Sequence, residues 1–240
     1  MPAPIVPARL EFRDGVPYSA AYGDIYHPAD GGMGQARHVF LEGCGLPAAW
    51  GGRETFVVLE TGFGTGLNFL VTWAAWRADL ARCGRLHFIS AEKHPFGAED
   101  LARLHARLPE LASLGEELRG AWPTLMPGFH RLAFDGGRVL LTLMLGDAAE
   151  TVPQLEARVD AFYLDGFAPD RNPELWQLEL IAALGERAQP GARAATYTVA
   201  AGVRNALAAA GFETEKRPGF GRKRHCLAAT FTGRRPADGG

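Results

Sequence analysis

The sequence predicts an α/β fold: a mostly parallel, doubly wound sheet with an antiparallel strand at its C-terminal end. Three observations carry this expectation. From Thr55 onward, short β-rich apolar runs alternate with stretches of helical period, and right-handed crossovers turn that alternation into a parallel sheet. The first run, "TFVVLE", passes straight into "TGFGTG" and then into an apolar helical stretch. Several later runs also end in acids or glycines, at the strand termini where open α/β sheets bind ligands.

The elements follow in order. Residues 1–54 are loop-rich, with turn signals in "YSAAYGDIYHPADGGMG" at Gly23-Asp24, His27-Pro28 and Asp30-Gly31-Gly32. "TFVVLE" is short, continuous and apolar, as a buried strand is. A helix is expected from about Gly66, with Leu67, Leu70, Val71 and Ala74 on one face. "RLHFISAE" is a second strand, and "EDLARLHARL" is a helix that brings Leu101, Leu104 and Leu108 into register. Residues 108–129 are less regular, and "HRLAF", "DGG" and "RVLLTLML" form strand, turn and strand. "VDAFYLDG" is another buried strand. The helix after it has Asn172 as its cap, Pro173 in its first turn and Glu174 against its dipole. "ARAATYT" is a strand, "AAGVRNALAAAG" a helix ended by Gly211, and "CLAATFT" the final strand. The expected division is an N-terminal extension at 1–54, a main domain at 55–232 with an insertion around 108–137, and a flexible tail at 233–240.

At 240 residues, 47% hydrophobic and 22% charged, the chain has ample material for a sizeable core. Its formal net charge of -2 gives no global basic field, so a nucleic-acid partner would have to meet a local patch. Cys44, Cys83 and Cys226 are odd in number and lack metal-ligand spacing. They are expected as free thiols in a reducing compartment, with no metal. The N-terminus lacks signal-peptide features and no apolar run is long enough to span a membrane, which predicts a cytoplasmic protein.

Four strand ends carry the chemistry. At the first, Gly62, Gly64 and Gly66 allow close backbone approach, and the following helix start offers unpaired N–H groups. A plain glycine-rich turn competes with a ligand loop here; a phosphate-binding P-loop is disfavoured because no Gly-Lys-Ser/Thr follows, and a dinucleotide fingerprint needs glycine where Leu67 stands. The spacing E-x-G-x-G-x-G is instead that of S-adenosylmethionine sites in Rossmann-like methyltransferases, and an acid at Glu60 suits a ligand carrying an ammonium and a sulfonium. At the second end, Glu92 is placed to accept both hydroxyls of a ribose. At the third, Asp147 follows Gly146 and is available to an adenine amino group, to the N-terminus of "AAETVPQL", or to both through different oxygens. At the fourth, Asp165 and Phe167 in "LDGFAP" are suited to holding an amine nucleophile and a flat base. Late in the chain, "EKRPGFGRKRH" gathers Lys216, Arg217, Arg222, Lys223 and Arg224 around Phe220. That run is either a solvated face or a loop gripping phosphates.

On "ETGFGTGLNFL", "FISAEK", "LDGFAP" with the following "NP", "ATYT" and "GFGRKR", the chain resembles the MnmC-type tRNA methyltransferase family. The resemblance is to its methyltransferase domain, which also exists in a stand-alone form, and it runs from about Leu10 to Thr230. It implies a Rossmann-like fold and S-adenosylmethionine-dependent methylation of the 5-aminomethyl group of a modified, often 2-thio, wobble uridine. Carried over, it places Glu60, Gly62, Gly64, Gly66 and Asn68 at the cofactor, Glu92 and Lys93 beside the ribose, and Gly146 and Asp147 beside the adenine. Asp165 and Phe167 would face the methyl donor and the target amine. Asp24 and Tyr26 match an N-terminal stretch that covers the site, and Arg222, Lys223 and Arg224 would meet RNA. The implied partner is a tRNA anticodon loop, with neither membrane nor DNA. Bifunctional members carry a flavin-binding oxidase domain, for which no second glycine fingerprint is visible, so no FAD is expected. Departures fall at Gly23, His27, Gly34, Gln35 and in "VAAGV", and they bear on the substrate lid. The competing classes are a nicotinamide-dependent oxidoreductase and a non-catalytic RNA-binding domain with a vestigial cofactor fold.

Overall fold

A computed structural model describes residues 3–27 and 31–234. Its strands are β1 (Glu11–Arg13), β2 (Val16–Ser19), β3 (Asp24–Ile25), β4 (Thr55–Glu60), β5 (Arg85–Glu92), β6 (Gly128–Phe134), β7 (Val139–Leu145), β8 (Val159–Tyr163), β9 (Ala188–Thr196), β10 (Phe212–Pro218) and β11 (His225–Phe231). Its α-helices are α1 (Gly32–Gln35), α2 (Leu67–Ala78), α3 (Ala98–His105), α4 (Ala112–Gly120), α5 (Ala148–Thr151), α6 (Leu178–Gly185) and α7 (Ala201–Ala209).

The main sheet has eight strands in the order β10-β11-β9-β8-β4-β5-β7-β6. The neighbours from β7 to β9 pair in parallel. Each edge is closed by an antiparallel hairpin, β6 with β7 on one side and β10 with β11 on the other, and β11 also runs antiparallel to β9. The expected antiparallel C-terminal strand is therefore present. The chain enters the sheet at its centre, through β4, then winds outward to β5 and β7 before crossing back to β8 and β9. The order reverses between β4 and β8, and such a switch point opens a crevice at the carboxyl ends of the strands.

Each sheet face is covered by one apolar layer. On one side, Phe69, Trp73 and Trp76 of α2 pack with Phe56 and Phe88 of the sheet. On the other, Ile181 and Leu184 of α6 and Leu207 of α7 pack with Leu59, Phe162 and Leu227. Burial on both faces explains why β4, β7 and β8 are continuous apolar runs rather than alternating ones.

Four elements differ from expectation. Residues 112–120 form α4, whose helical period is masked by Gly115 and Gly120. Residues 212–218 form β10, whose charged alternation resembles a solvated run until β11 pairs with it along its whole length. Asn172 makes no capping bond: Pro173–Trp176 is a single 3-10 turn, and α6 starts only after Gln177. A small antiparallel sheet of β1, β2 and β3 organises the N-terminal stretch. Pro28 and Asp30 of the expected N-terminal turns lie outside the described residues, as does the expected tail beyond Arg234.

Candidate active site

The carboxyl ends of β4, β5, β7 and β8 open into one cavity of about 560 Å³. Gly66, with φ 76°, starts α2 directly after the glycine turn. Gly62 faces the loop after β8 so closely that a Cβ there would stand 3.1 Å from the Asp165 carbonyl oxygen. Only a glycine lets the two loops meet at that distance. The Thr61 hydroxyl completes the seam by donating to the same carbonyl at 2.7 Å. From beneath, His105 Nε2 lies 2.9 Å from the Thr65 carbonyl while Arg119 Nη1 donates to His105 Nδ1 at 3.0 Å. This leaves the imidazole neutral with its proton on Nε2, and burial lowers its pKa further. Helices α3 and α4 thereby brace the glycine loop.

Glu60 does not reach the cavity wall. Its carboxylate is 1% exposed, accepting from Ser90 Oγ at 2.6 Å and Asn68 Nδ2 at 2.9 Å. Burial pushes its pKa well up. Between Glu60 and the cavity stands Asn68, which lines it. Gly66 likewise stands behind the lining residues, whereas Gly62, Gly64 and Asn68 line the cavity.

Asn68 connects the buried Glu60 to the half-buried Asp165. Its Nδ2 also donates to Asp165 Oδ2 at 2.7 Å, and the Gly166 N–H donates to Asp165 Oδ1 at 2.8 Å. Burial still dominates and lifts the Asp165 pKa to about 6, in the range where a carboxylate can exchange a proton at neutral pH.

Glu92 sits at the far side of the glycine loop. Its two oxygens accept from Gly64 N at 2.8 Å and His94 N at 2.7 Å, and burial raises its pKa. Each oxygen keeps a second lone pair for a hydroxyl donor. Asp147 caps α5 by accepting from Ala149 N at 2.9 Å through one oxygen, while the other pairs with Lys93 Nζ at 2.9 Å. Its two oxygens are thus divided as expected, but between α5 and Lys93. Lys93 also pairs with Glu174 at 2.8 Å, and both acids raise its pKa.

Aromatic rings close the opposite side. Phe167 stacks on Tyr22 at 4.6 Å and meets Tyr26 edge-on at 5.1 Å. Asp24 Oδ2 accepts from Ala168 N at 3.1 Å, so the N-terminal sheet is fastened to the loop that carries Phe167. Trp176 Nε1 donates to the Phe167 carbonyl at 3.0 Å and Tyr197 OH to the Gly166 carbonyl at 2.8 Å.

The basic run divides. Lys223 lines the cavity, with its ammonium 3.8 Å from the centre of the Tyr197 ring, while Arg222 and Arg224 are exposed away from it. Sequence reasoning missed Tyr22, Tyr197 and the inward turn of Lys223. A phenol just past the strand end of "ARAATYT" is the signal that would have found Tyr197.

Lys93 is already committed to Asp147 and Glu174, and Glu92 and Asp147 make their end of the cavity a poor place for a pyrophosphate. A phosphate-free ligand carrying positive charge and hydroxyls fits it. A family model described as an S-adenosyl-L-methionine-dependent methyltransferase matches residues 109–232, more than half of the chain. The chain belongs to that family. Its cofactor is S-adenosylmethionine, and its fold is the Rossmann-like one of that enzyme class. The chain is 73% identical over 98% of its length to the tRNA 5-methylaminomethyl-2-thiouridine biosynthesis bifunctional protein MnmC of Thiobacillus denitrificans. It is 59% identical over 98% of its length to the protein of the same description from Azoarcus sp.. It spans 38% and 37% of those two proteins. The crystal structure of MNMC2 from Aquifex aeolicus superposes with a TM-score of 0.69 at 25% identity, covering 98% of this chain and 72% of that one. Among the described residues, no group of three or more His, Cys, Asp or Glu is arranged to hold a metal, the three cysteines are free and buried, and no helix is long and apolar enough to cross a membrane.

Proposed function

We propose that this methyltransferase transfers a methyl group to the 5-aminomethyl nitrogen of a modified (2-thio)uridine at the wobble position of tRNA, giving the 5-methylaminomethyl form. The observation that carries the reading is Asp165: a carboxylate poised near neutrality, fixed by Asn68 and Gly166, on the loop that also presents the Phe167 ring to the cavity. An acid suits an amine acceptor and a ring suits a flat base. The descriptions of the relatives point to the same acceptor.

In this reading Gly62, Gly64 and Asn68 hold the amino-acid end of the cofactor, Glu92 its ribose, and Gly146 and Asp147 its adenine, with Glu60 and Lys93 supporting from behind. When bound, S-adenosylmethionine supplies a methyl group on a sulfonium, a leaving group activated by its own charge. Positioning is then the protein's main contribution. Asp165 orients the amine and accepts its proton, and Phe167 with Tyr22 supports the base. Residues 1–54 act as a cover, with Asp24 and Tyr26 closing on the acceptor. Arg222 and Arg224 meet phosphates of the anticodon loop.

The test is incubation with labelled S-adenosylmethionine and tRNA that carries the aminomethyl group, followed by nucleoside analysis. Label in 5-methylaminomethyl-(2-thio)uridine is the expected result. Label at any other atom, or none, overturns the assignment.

A further inference from the structure

Lys223 is exposed like Arg222 and Arg224, but its ammonium lies over the Tyr197 ring at the edge of the cavity that Asp24 and Asp165 line. Asp24 and Asp165 act on it through charge alone, with no hydrogen bond to either. The groups facing it are Asp24 from β3, Asp165 after β8 and the Tyr197 phenol after β9, with Tyr26 and His27 of the N-terminal segment on the same cavity. On its own turn, Arg222 and Arg224 point to solvent.

A cation in this place is a puzzle for a tRNA grip, because it lies at the reacting end. It has a clear use in the transfer itself. A free aliphatic amine titrates near pH 10, like the reference lysine at about 10.4, and its protonated form has no lone pair to attack with. Asp24 and Asp165 alone would stabilise that protonated form, since opposite charge favours ionisation of an amine. A fixed like charge opposes it.

We propose that the Lys223 ammonium, held against the Tyr197 face, keeps the acceptor amine neutral in the cavity. The proposal rests on the amine-methylation reading above. The acceptor's proton passes to the Asp165 carboxylate or to water. The freed nitrogen lone pair forms the new C–N bond as the methyl–sulfur bond breaks, its electrons staying on sulfur, and the product leaves as a secondary ammonium. Partial desolvation pulls the Lys223 pKa down while the two acids pull it up. The cation–π contact with Tyr197 favours the charged form.

The experiment is a profile of kcat against pH, at saturating aminomethylated tRNA and S-adenosylmethionine so that it reports groups in the bound complex, for the parent, Lys223→Met and Lys223→Arg. S-adenosylhomocysteine binding is measured in parallel to show that each variant is folded. Lys223→Met is repeated in an Asp165→Asn background, because Lys223 also lowers the Asp165 pKa; a shift that disappears there overturns the proposal. In Lys223→Met the ascending limb moves up by about one pH unit, so activity falls about tenfold near pH 7 and recovers near pH 9. Lys223→Arg, which keeps the charge, retains the parental limb. A loss of equal size at every pH overturns the proposal and returns Lys223 to substrate gripping. So does a Lys223→Arg profile that matches Lys223→Met, which would make the lysine itself the proton acceptor. A parent enzyme that labels another atom of the tRNA, or none, overturns the amine-methylation reading, and the proposal with it.

Discussion

Asn68 and Asp165 are joined by a 2.7 Å hydrogen bond across 97 residues of chain. The same Asn68 nitrogen serves Glu60 at 2.9 Å, so one amide bridges two acids that would otherwise repel each other. Asn68→Leu removes one donor from each carboxylate, leaving Glu60 with Ser90 and Asp165 with the Gly166 N–H, at a stability loss of about 1–3 kcal/mol. It also raises the Asp165 pKa further, so the acidic limb of the pH–rate profile moves to higher pH. Urea titration and a kcat/KM profile check both effects. An unmoved limb would show that another group controls it.

Asp165→Asn separates function from stability. The folded pKa of about 6 lies above the ordinary aspartate value of 3.8, so the folded protein binds this proton more tightly than the unfolded chain does. Stability is therefore lost as pH rises from about 4 through about 6. A neutral asparagine escapes that loss. Asp165→Asn is expected to be up to about 3 kcal/mol more stable than the parent at pH 8 and no more stable at pH 4. Turnover falls by at least about a hundredfold while S-adenosylhomocysteine binding stays within about threefold of the parent's. Calorimetry and urea titration at the two pH values decide it.

Much of this architecture is legible in local pattern. "TFVVLE" and "VDAFY" are apolar without alternation because both sheet faces are covered, and the glycine turn announces itself between strand and helix. What escaped is set by partners distant in sequence. "FETEKRP" is a strand only because β11 pairs with it. Asn172 is not a cap because its turn is pulled into a 3-10 conformation beside Trp176, whose indole bonds Phe167. Glu60 stands out locally as an acid before the glycine turn, but nothing local shows that Ser90 and Asn68 surround it and keep it off the cavity wall. The inward turn of Lys223 likewise depends on where Tyr197 lies.

Glu92→Gln keeps the size of the side chain but weakens acceptance from two hydroxyls. Affinity for S-adenosylmethionine should fall about 10–100-fold, as the loss of charge-assisted hydrogen bonds predicts, with kcat at saturation much less affected. Titration calorimetry measures the first and steady-state kinetics the second. Unchanged affinity would remove Glu92 from the cofactor site.

Gly62→Ala places a methyl group 3.1 Å from the Asp165 carbonyl and forces the two loops to part by a few tenths of an ångström. Misplacement on that scale reaches Asp165 directly. The expected outcome is a drop in kcat of about tenfold or more, with a melting temperature lowered by only a few degrees. A fully active variant would mean that the seam is compliant.

Exchanging Arg222 and Arg224 together for glutamate tests the outward half of the basic turn. The Michaelis constant for tRNA should rise and its salt dependence should flatten, while that for S-adenosylmethionine holds. The opposite pattern would leave these arginines as an ordinary solvated surface.

The switch point has a kinetic side as well. Both edge hairpins close over short stretches of chain, so their contacts can form early. The central pairing of β4 with β8 is different: the Val57 N–H reaches Asp160 Oδ2 across 103 residues, and its loop-closure entropy must be overcome before any contact there is gained. Gly62, Asn68 and Asp165 all depend on that pairing. These three residues are therefore expected to come together late, after the locally closed parts of the sheet.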